Sequence, residues 1–311
     1  MKLFKVNKNA RKLEQGSVLT IGNFDGVHGG HQALIAALVA KSHRLQLPSV
    51  VVIFEPHPKA FLSKSKEPQR ISSLREKLYY LKELGIDYIF CIRFNDIIAQ
   101  TSPQQFIQTI LIEQLHLRYI LIGHDFHFGK DRMGNQILLQ QLAEPLGFHF
   151  EVFDSFKKKG QRISSTTVRQ LLLEQDIENL SFYLGRHYSI IGKVIPGRKL
   201  ARRWEMPTAN IAISRQRLTL SGVFCVNIRI CDHPEVHRGV ANLGYRPTID
   251  GCHPILEVHL FDFNADLYGQ FLEVAFLSKI RDEQKFLNVD ALRNQIKNDI
   301  ICAKHFFGKT N

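Results

Sequence analysis

From residue 17 to about residue 155, short runs of β-branched and aromatic residues alternate with longer stretches whose apolar positions follow a helical period. Val18 to Ile21, Val50 to Phe54, Tyr88 to Arg93, Tyr119 to Ile122 and Phe148 to Phe153 predict strands. Gln32 to Leu45, Leu74 to Leu84, Pro103 to Leu115 and Ile137 to Leu146 predict the helices between them. Such alternation predicts a parallel sheet with helices on both faces and ligands at the carboxyl ends of the strands. After two more helical stretches the texture changes near residue 185. Tyr188 to Val194, Gly222 to Ile230, Ile255 to Phe261 and Phe271 to Leu277 are short, β-rich and separated by Gly, Pro, Asn and Asp turns, which predicts a small antiparallel barrel. Asp282 to Phe306 returns to a helical pattern, with Phe286, Leu292, Ile296 and Ile300 at packing positions. The pattern divides the chain into domains at 1–185 and 186–311.

Composition narrows the class without choosing the chemistry. A chain of 311 residues suits two domains of ordinary size, and 44% hydrophobic with 23% charged residues is a globular composition. No uncharged run approaches the roughly 20 apolar residues of a membrane span. The basic start Met1 to Lys8 has no apolar core behind it, so the expectation is a cytoplasmic protein with no membrane partner. The five cysteines are scattered without a CxxC pair, which predicts reduced packing residues and argues against a zinc site. A net charge of +12 implies attraction to polyanions, either nucleic acid or small phosphorylated ligands. The basic clusters Lys157 to Lys159, Arg198-Lys199 and Arg202-Arg203 have no interleaved aromatics of the kind single-strand binding uses, so no nucleic-acid partner is expected. The oligomeric state stays open.

Candidate chemistry begins at the first strand-to-helix junction, Ile21 to His31. Gly22, Gly26, Gly29 and Gly30 let the backbone turn and approach a bulky anion, and the helix that follows offers unpaired N–H groups and a positive dipole end to it. His28 and His31, three residues apart, share one helical face and can both donate there, although a histidine pair can also simply cap a helix. Farther on, Ile163-Ser164-Ser165-Thr166 suits a helix start, with Arg169 about one turn inside and able to reach a triphosphate.

His28-Gly29-Gly30-His31 resembles the HxGH signature of the nucleotidylyltransferase superfamily, and the longer string Gly22 to His31 resembles that of the prokaryotic bifunctional riboflavin kinase/FMN adenylyltransferases. Phe54 to Pro58, Phe94-Asn95 with Pro103 to Ile107, Gly123 to Gly134, and Ile163 to Arg169 resemble further motifs of that family, covering most of the first half. The resemblance implies a Rossmann-like nucleotidylyltransferase domain in which FMN phosphate attacks the α-phosphorus of MgATP, giving FAD and pyrophosphate with no covalent enzyme intermediate. It implies catalytic parts for His28, His31 and Arg169, and ATP or phosphate contacts for Gly22, Asn23, Phe24, Asp25, Gly26, Gly30, Ser164, Ser165 and Thr166. Asp125, Phe126, Phe128 and Arg132 are the flavin-side candidates. Core packing and flavin stacking are equally open for the two phenylalanines, and His57, His124 and His127 receive no catalytic part.

In the second half, Pro207-Thr208-Ala209-Asn210 and Glu257 to Gly269 resemble riboflavin kinase motifs, and Gly239 to Thr248 resembles a loop of the same family. On an extended segment Thr208 and Asn210 point the same way, and a hydroxyl beside an amide carbonyl suits Mg²⁺, a hard cation that takes oxygen ligands and substrate phosphates. Glu257, on a probable strand face, can take a hydroxyl proton, and the resemblance implies the 5′-hydroxyl of riboflavin. Gly197 is a phosphate-loop candidate. Glu205 and Ala201 replace glycines usual in the family. The expectation is a bifunctional enzyme with riboflavin, FMN and ATP as substrates and Mg²⁺ as cofactor. The alternative is a monofunctional FMN adenylyltransferase whose barrel is a flavin-binding module impaired by Glu205.

Overall fold

A computed structural model describes residues 1–6, 13, 15–62, 70–154, 156–158, 160–197, 206–213, 220–248 and 251–309. By contacts the chain separates into two units, Met1–Ser165 and Thr166–Asn311. The first runs β1 (Lys2–Val6), β2 (Ser17–Ile21), α1 (Gly29–Leu45), β3 (Ser49–Glu55), α2 (Pro58–Leu62), α3 (Leu74–Glu83), β4 (Tyr88–Arg93), α4 (Asp96–Gln100), α5 (Pro103–Phe106), β5 (Leu117–Gly123), α6 (Gln136–Ala143), β6 (His149–Phe153) and a short hairpin, β7 (Lys157–Lys158) and β8 (Gln161–Arg162).

The sheet order is β1-β4-β3-β2-β5-β6, with every pairing parallel. Successive residues of a strand face opposite sides, and here both sides are apolar. Leu19, Val50, Val52, Phe90, Ile92, Ile120 and Ile122 pack on one face against α6 and the stretch after α5. Val18, Val51, Ile53, Ile89 and Leu121 pack on the other against Leu34, Ile35 and Leu38 of α1 and Leu81 of α3. The central strands fall where the periodicity predicts them. Edge strand β1 was not predicted, because a five-residue stretch with lysine at both its first and fourth positions carries no clear period. The helix expected over Pro103 to Leu115 is α only to Phe106 and continues as a π-helical turn, Ile107–Ile112.

Beyond α7 (Ser165–Glu174) and α8 (Ile177–Leu184), the second unit is a barrel of β9 (Ser189–Ile195), β10 (Ala209–Ile211), β11 (Gly222–Ile230), β12 (Val236–Thr248), β13 (Gly251–Leu260) and β14 (Phe271–Arg281). It closes in the order β10-β13-β12-β11-β14-β9, antiparallel throughout. Phe224, Val226, Ile228, Leu256, Val258, Val274 and Phe276 are its buried residues. The stretch Gly239 to Thr248, read as a loop from sequence, is instead the body of β12. Its Ala241 and Leu243 supply buried side chains that a glycine-rich sequence hides. The terminal helix α9 (Val289–Lys309) begins later than Asp282 and lays Ala303 and Phe307 on Val223, Cys225 and Val240. Burial raises the Cys225 thiol to about 11, which keeps it protonated and unreactive at neutral pH. Among the described residues no helix is long and apolar enough to cross a membrane.

One ion pair fixes α9 on the barrel. Arg281 of β14 donates through Nε and Nη2 to both carboxylate oxygens of Asp299, at 2.9 and 2.8 Å, and Gln295 adds a third donor at 2.9 Å. The Asp299 side chain keeps 5% of its surface, so removing it strands a guanidinium in a partly buried place. Asp299→Ala is expected to cost about 3 kcal/mol, the low end for a broken buried pair because Arg281 retains some solvent. Denaturant unfolding of the variant beside the parent chain checks this.

Candidate active sites

In the first unit the chain leaves β2 through a turn under backbone strain. Phe24 (φ 47°) and Val27 (φ 41°) are both left-handed, a region that bulky and β-branched side chains avoid. Gly26 lies between them at φ 82°, and a Cβ there would stand 2.7 Å from Ile71 Cγ2. His28 is the N-cap of α1: its Nδ1 accepts from the His31 backbone N–H at 3.3 Å. That bond assigns the ring proton to Nε2, leaving a donor on the far side of the imidazole. The His28 and His31 rings stack with centroids 3.6 Å apart, inclined by 13°.

The buried carboxylate of Asp25 accepts from the backbone N–H groups of Ile71 and Ser72 and from the Ser72 hydroxyl, at 3.0 to 3.2 Å. These bonds tie the glycine turn to the turn before α3. Asn23 keeps a buried Oδ1 with no partner among the described residues, which is how an amide reserved for a ligand looks. Ser165 donates to the Asp25 carbonyl at 3.1 Å, and a Cβ on Gly30 would meet the Ile163 carbonyl oxygen at 3.4 Å. The Ile163 to Ser165 segment thus reaches the glycine turn from 140 residues away. Gly22 and Ser164 are half-buried beside these groups in sequence, while Thr166 is exposed and Arg169 half-buried on α7 in the second unit.

Among the flavin-side candidates, Phe128 is a core residue at 5% exposure, and Phe126 stacks on it at 5.4 Å while remaining half-buried. Packing thus claims the first ring wholly and the second in part. Asp125 is exposed and paired with Arg162 of β8 and His124. The Arg162 hydrogen bond, then the His124 one, holds its carboxyl below the usual range. Arg132 is exposed. His57 accepts from the Lys59 N–H at 3.1 Å and so orders its own turn. Lys77 of α3 carried no sequence signal, yet it is 4% exposed. Burial lowers its pKa, opposed by the charges of Asp25 and Glu55.

In the barrel, strand register does the gathering. Asn210 of β10 is opposite Glu257 of β13, and Glu257 is opposite Asn242 of β12. Directly paired residues share a face with Cβ atoms about 5 Å apart. The alternate residues Ile211, Leu256, Val258, Ala241 and Leu243 are buried, so this row lies on the outer face, half-buried. His259 donates from Nδ1 to the Pro207 carbonyl at 2.8 Å, holding the segment that carries Thr208 against β13. A Cβ on Gly197 would overlap the Asn210 amide, so the glycine backbone lies directly on it. A threonine hydroxyl and an amide oxygen are oxygen donors of the kind a hard divalent cation takes, and Glu257 stands beside Asn210 across the strand pair. Asn242 was missed because its motif read as a loop. Glu205 and Ala201 lie outside the described residues.

A helix amino end framed by imidazoles has the chemistry to take phosphates, and polar side chains beside a strand carboxylate suit phosphoryl transfer. Together they define a two-domain, nucleotide-using transferase. A family model for FAD synthetase matches residues 10–167, and one for riboflavin kinase matches residues 184–307. The chain is 43% identical over 307 residues to a Haemophilus influenzae protein named bifunctional riboflavin kinase/FMN adenylyltransferase, covering 99% of both chains. It is 40% identical over 311 residues to the Escherichia coli K12 protein of the same name, covering 100% of this chain and 99% of that one. A Streptococcus pneumoniae crystal structure described as a macrolide-efflux protein superposes with TM-score 0.79 at 29% identity, over 96% of this chain and 97% of that one. That description stays with that protein. The chain belongs to the bifunctional riboflavin kinase/FMN adenylyltransferase family. It is a transferase of flavin-cofactor biosynthesis with riboflavin, FMN and ATP as substrates, and enzymes of these ATP-using families generally need a divalent metal.

The Asp125 and Arg162 pairing yields a direct test. In Arg162→Ala the Asp125 carboxyl is expected to titrate higher, toward its ordinary value, as followed by NMR. The pair's contribution is present above the unfolded pKa and fades as pH falls through the lowered one, so the variant should lose stability relative to the parent only above that window.

Proposed function

We propose that residues 1–185 adenylylate FMN, that residues 186–311 phosphorylate riboflavin, and that the two sites use the residues described above in distinct roles. The observation that carries the first assignment is the stacked histidine pair at the amino end of α1, where His28 caps the helix. Adenylyl transfer needs positioning and charge neutralisation more than covalent help. The FMN phosphate oxygen bonds to the α-phosphorus of ATP as the bond to pyrophosphate breaks. His28, His31 and the helix amino end stabilise the charge that builds, Asn23 and the Gly22 to Gly30 backbone hold the triphosphate, and Ser164 and Ser165 frame it. Asp25 fixes the loop instead of touching phosphate. Phe126, with Asp125 and Arg132, borders the flavin.

For the kinase, Glu257 takes the proton of the riboflavin 5′-hydroxyl as that oxygen bonds to the γ-phosphorus and ADP departs. Thr208 and Asn210 would hold Mg²⁺, which when bound neutralises the phosphate charge of ATP. Gly197 lets the backbone lie close enough to complete this corner. The cysteines found free among the described residues and the ATP chemistry support a cytoplasmic setting.

His28→Ala is expected to lower FMN-to-FAD turnover by about 10²- to 10³-fold, the cost of a lost transition-state donor, and to leave FMN formation intact. Thr208→Ala or Glu257→Ala should do the reverse. Chromatographic separation of riboflavin, FMN and FAD after incubation with MgATP reads both steps. Loss of both activities in every single variant, with folding preserved, would overturn the division into two sites.

A further inference from the structure

Ser72 lies outside every motif singled out above, between the end of α2 and the start of α3, and only 5% of its surface is exposed. Its hydroxyl is used twice. It accepts the backbone N–H of Gly26 at 2.9 Å, and it donates to Asp25 Oδ1 at 3.2 Å. The N–H groups of Ile71 and Ser72 bind the same carboxylate, and Ser165 binds the Asp25 carbonyl from the opposite end of the unit. Next along the chain, Ser73 caps α3 in a reciprocal box with Glu76, which makes the 71–73 turn a rigid extension of that helix.

These contacts converge on the stretch that would otherwise relax. Phe24, Gly26 and Val27 all have positive φ, and two of them are residues for which that conformation is costly. The next residue is the His28 cap. Van der Waals packing alone does not explain the arrangement: Ile71 fills the space beside Gly26, but the amide of Gly26 is directed by a hydrogen bond from a residue 46 positions away. We infer that Ser72 is a positioning residue for adenylyl transfer, holding the Gly26 amide so that the turn delivers His28 and His31 to the nucleotide phosphates. The inference rests on the adenylyl-transfer reading of this site.

The test uses the full chain and measures FMN-to-FAD and riboflavin-to-FMN turnover on the same preparations. Ser72→Ala keeps most of the packing and removes the hydroxyl. It is expected to lower kcat for FAD formation on the order of 10²-fold, the scale of a small misplacement of reacting groups, and to leave the kinase rate unchanged. Ser72→Thr restores the hydroxyl and should recover turnover to within a few-fold of the parent. An alanine variant within twofold of the parent overturns the inference, as does a threonine variant no better than alanine. If the alanine variant does not fold, Ser72→Cys, close in size but a poor acceptor, decides by the same criterion: reduced kcat supports the role and parental kcat overturns it. A parent chain that forms no FAD at all would instead remove the functional reading beneath.

Discussion

The first unit depends on a carboxylate buried in the turn after its first core strand. Asp25 is removed from water, and a charge so placed is tolerated only where donors replace its hydration. Two backbone N–H groups and a hydroxyl do so, and they come from a turn 46 residues onward, so satisfying the charge also stitches the glycine turn to the start of α3. The left-handed backbone at Phe24 and Val27 is paid for by this stitching and by burial of both side chains at 3% and 1% exposure. What results is a helix amino end tied to the turn before it, with the imidazoles of His28 and His31 stacked at its start.

The barrel reaches the same kind of precision by other means. Closure removes free edges and fixes every register, and a slip of one residue would send Glu257 inward and Val258 outward. Because the interior is filled by Leu256, Val258, Phe224 and Phe276, the energetic cost of such a slip is the loss of the whole core. The row Asn210, Glu257, Asn242 therefore inherits its alignment from apolar residues that never touch a ligand. The ion pair of Asp299 with Arg281 extends this rigidity to α9.

Much of the fold was legible because its determinants are periodic. Residues alternating in Val50 to Phe54 or Tyr88 to Arg93 have both neighbours apolar, and that double-sided pattern belongs to a covered parallel strand. The misreadings share a cause. Gly239 to Thr248 is rich in turn formers, so local propensity pointed to a loop, but pairing on both sides with β11 and β13 made it a strand. That error hid Asn242. Lys77 was hidden for the opposite reason: on an amphipathic helix a lysine between Glu76 and Leu78 reads as solvated, and only the packing of α3 against Asp25 and Glu55 shows it enclosed.

By itself the sequence determined most of the core strands and where the texture changes from α/β to barrel, since these depend on near neighbours and on recognisable strings. It did not determine what each polar side chain is spent on. Asp25 and Ser72 show the difference: a carboxylate in a glycine turn and an unremarked serine become one hydrogen-bonded knot only when the chain returns across 46 residues. Phe126 and Phe128 likewise differ in how deeply each packs into the same core. Hydrogen bonds and burial are satisfied between groups distant in sequence, so their allocation exists only once the chain is folded.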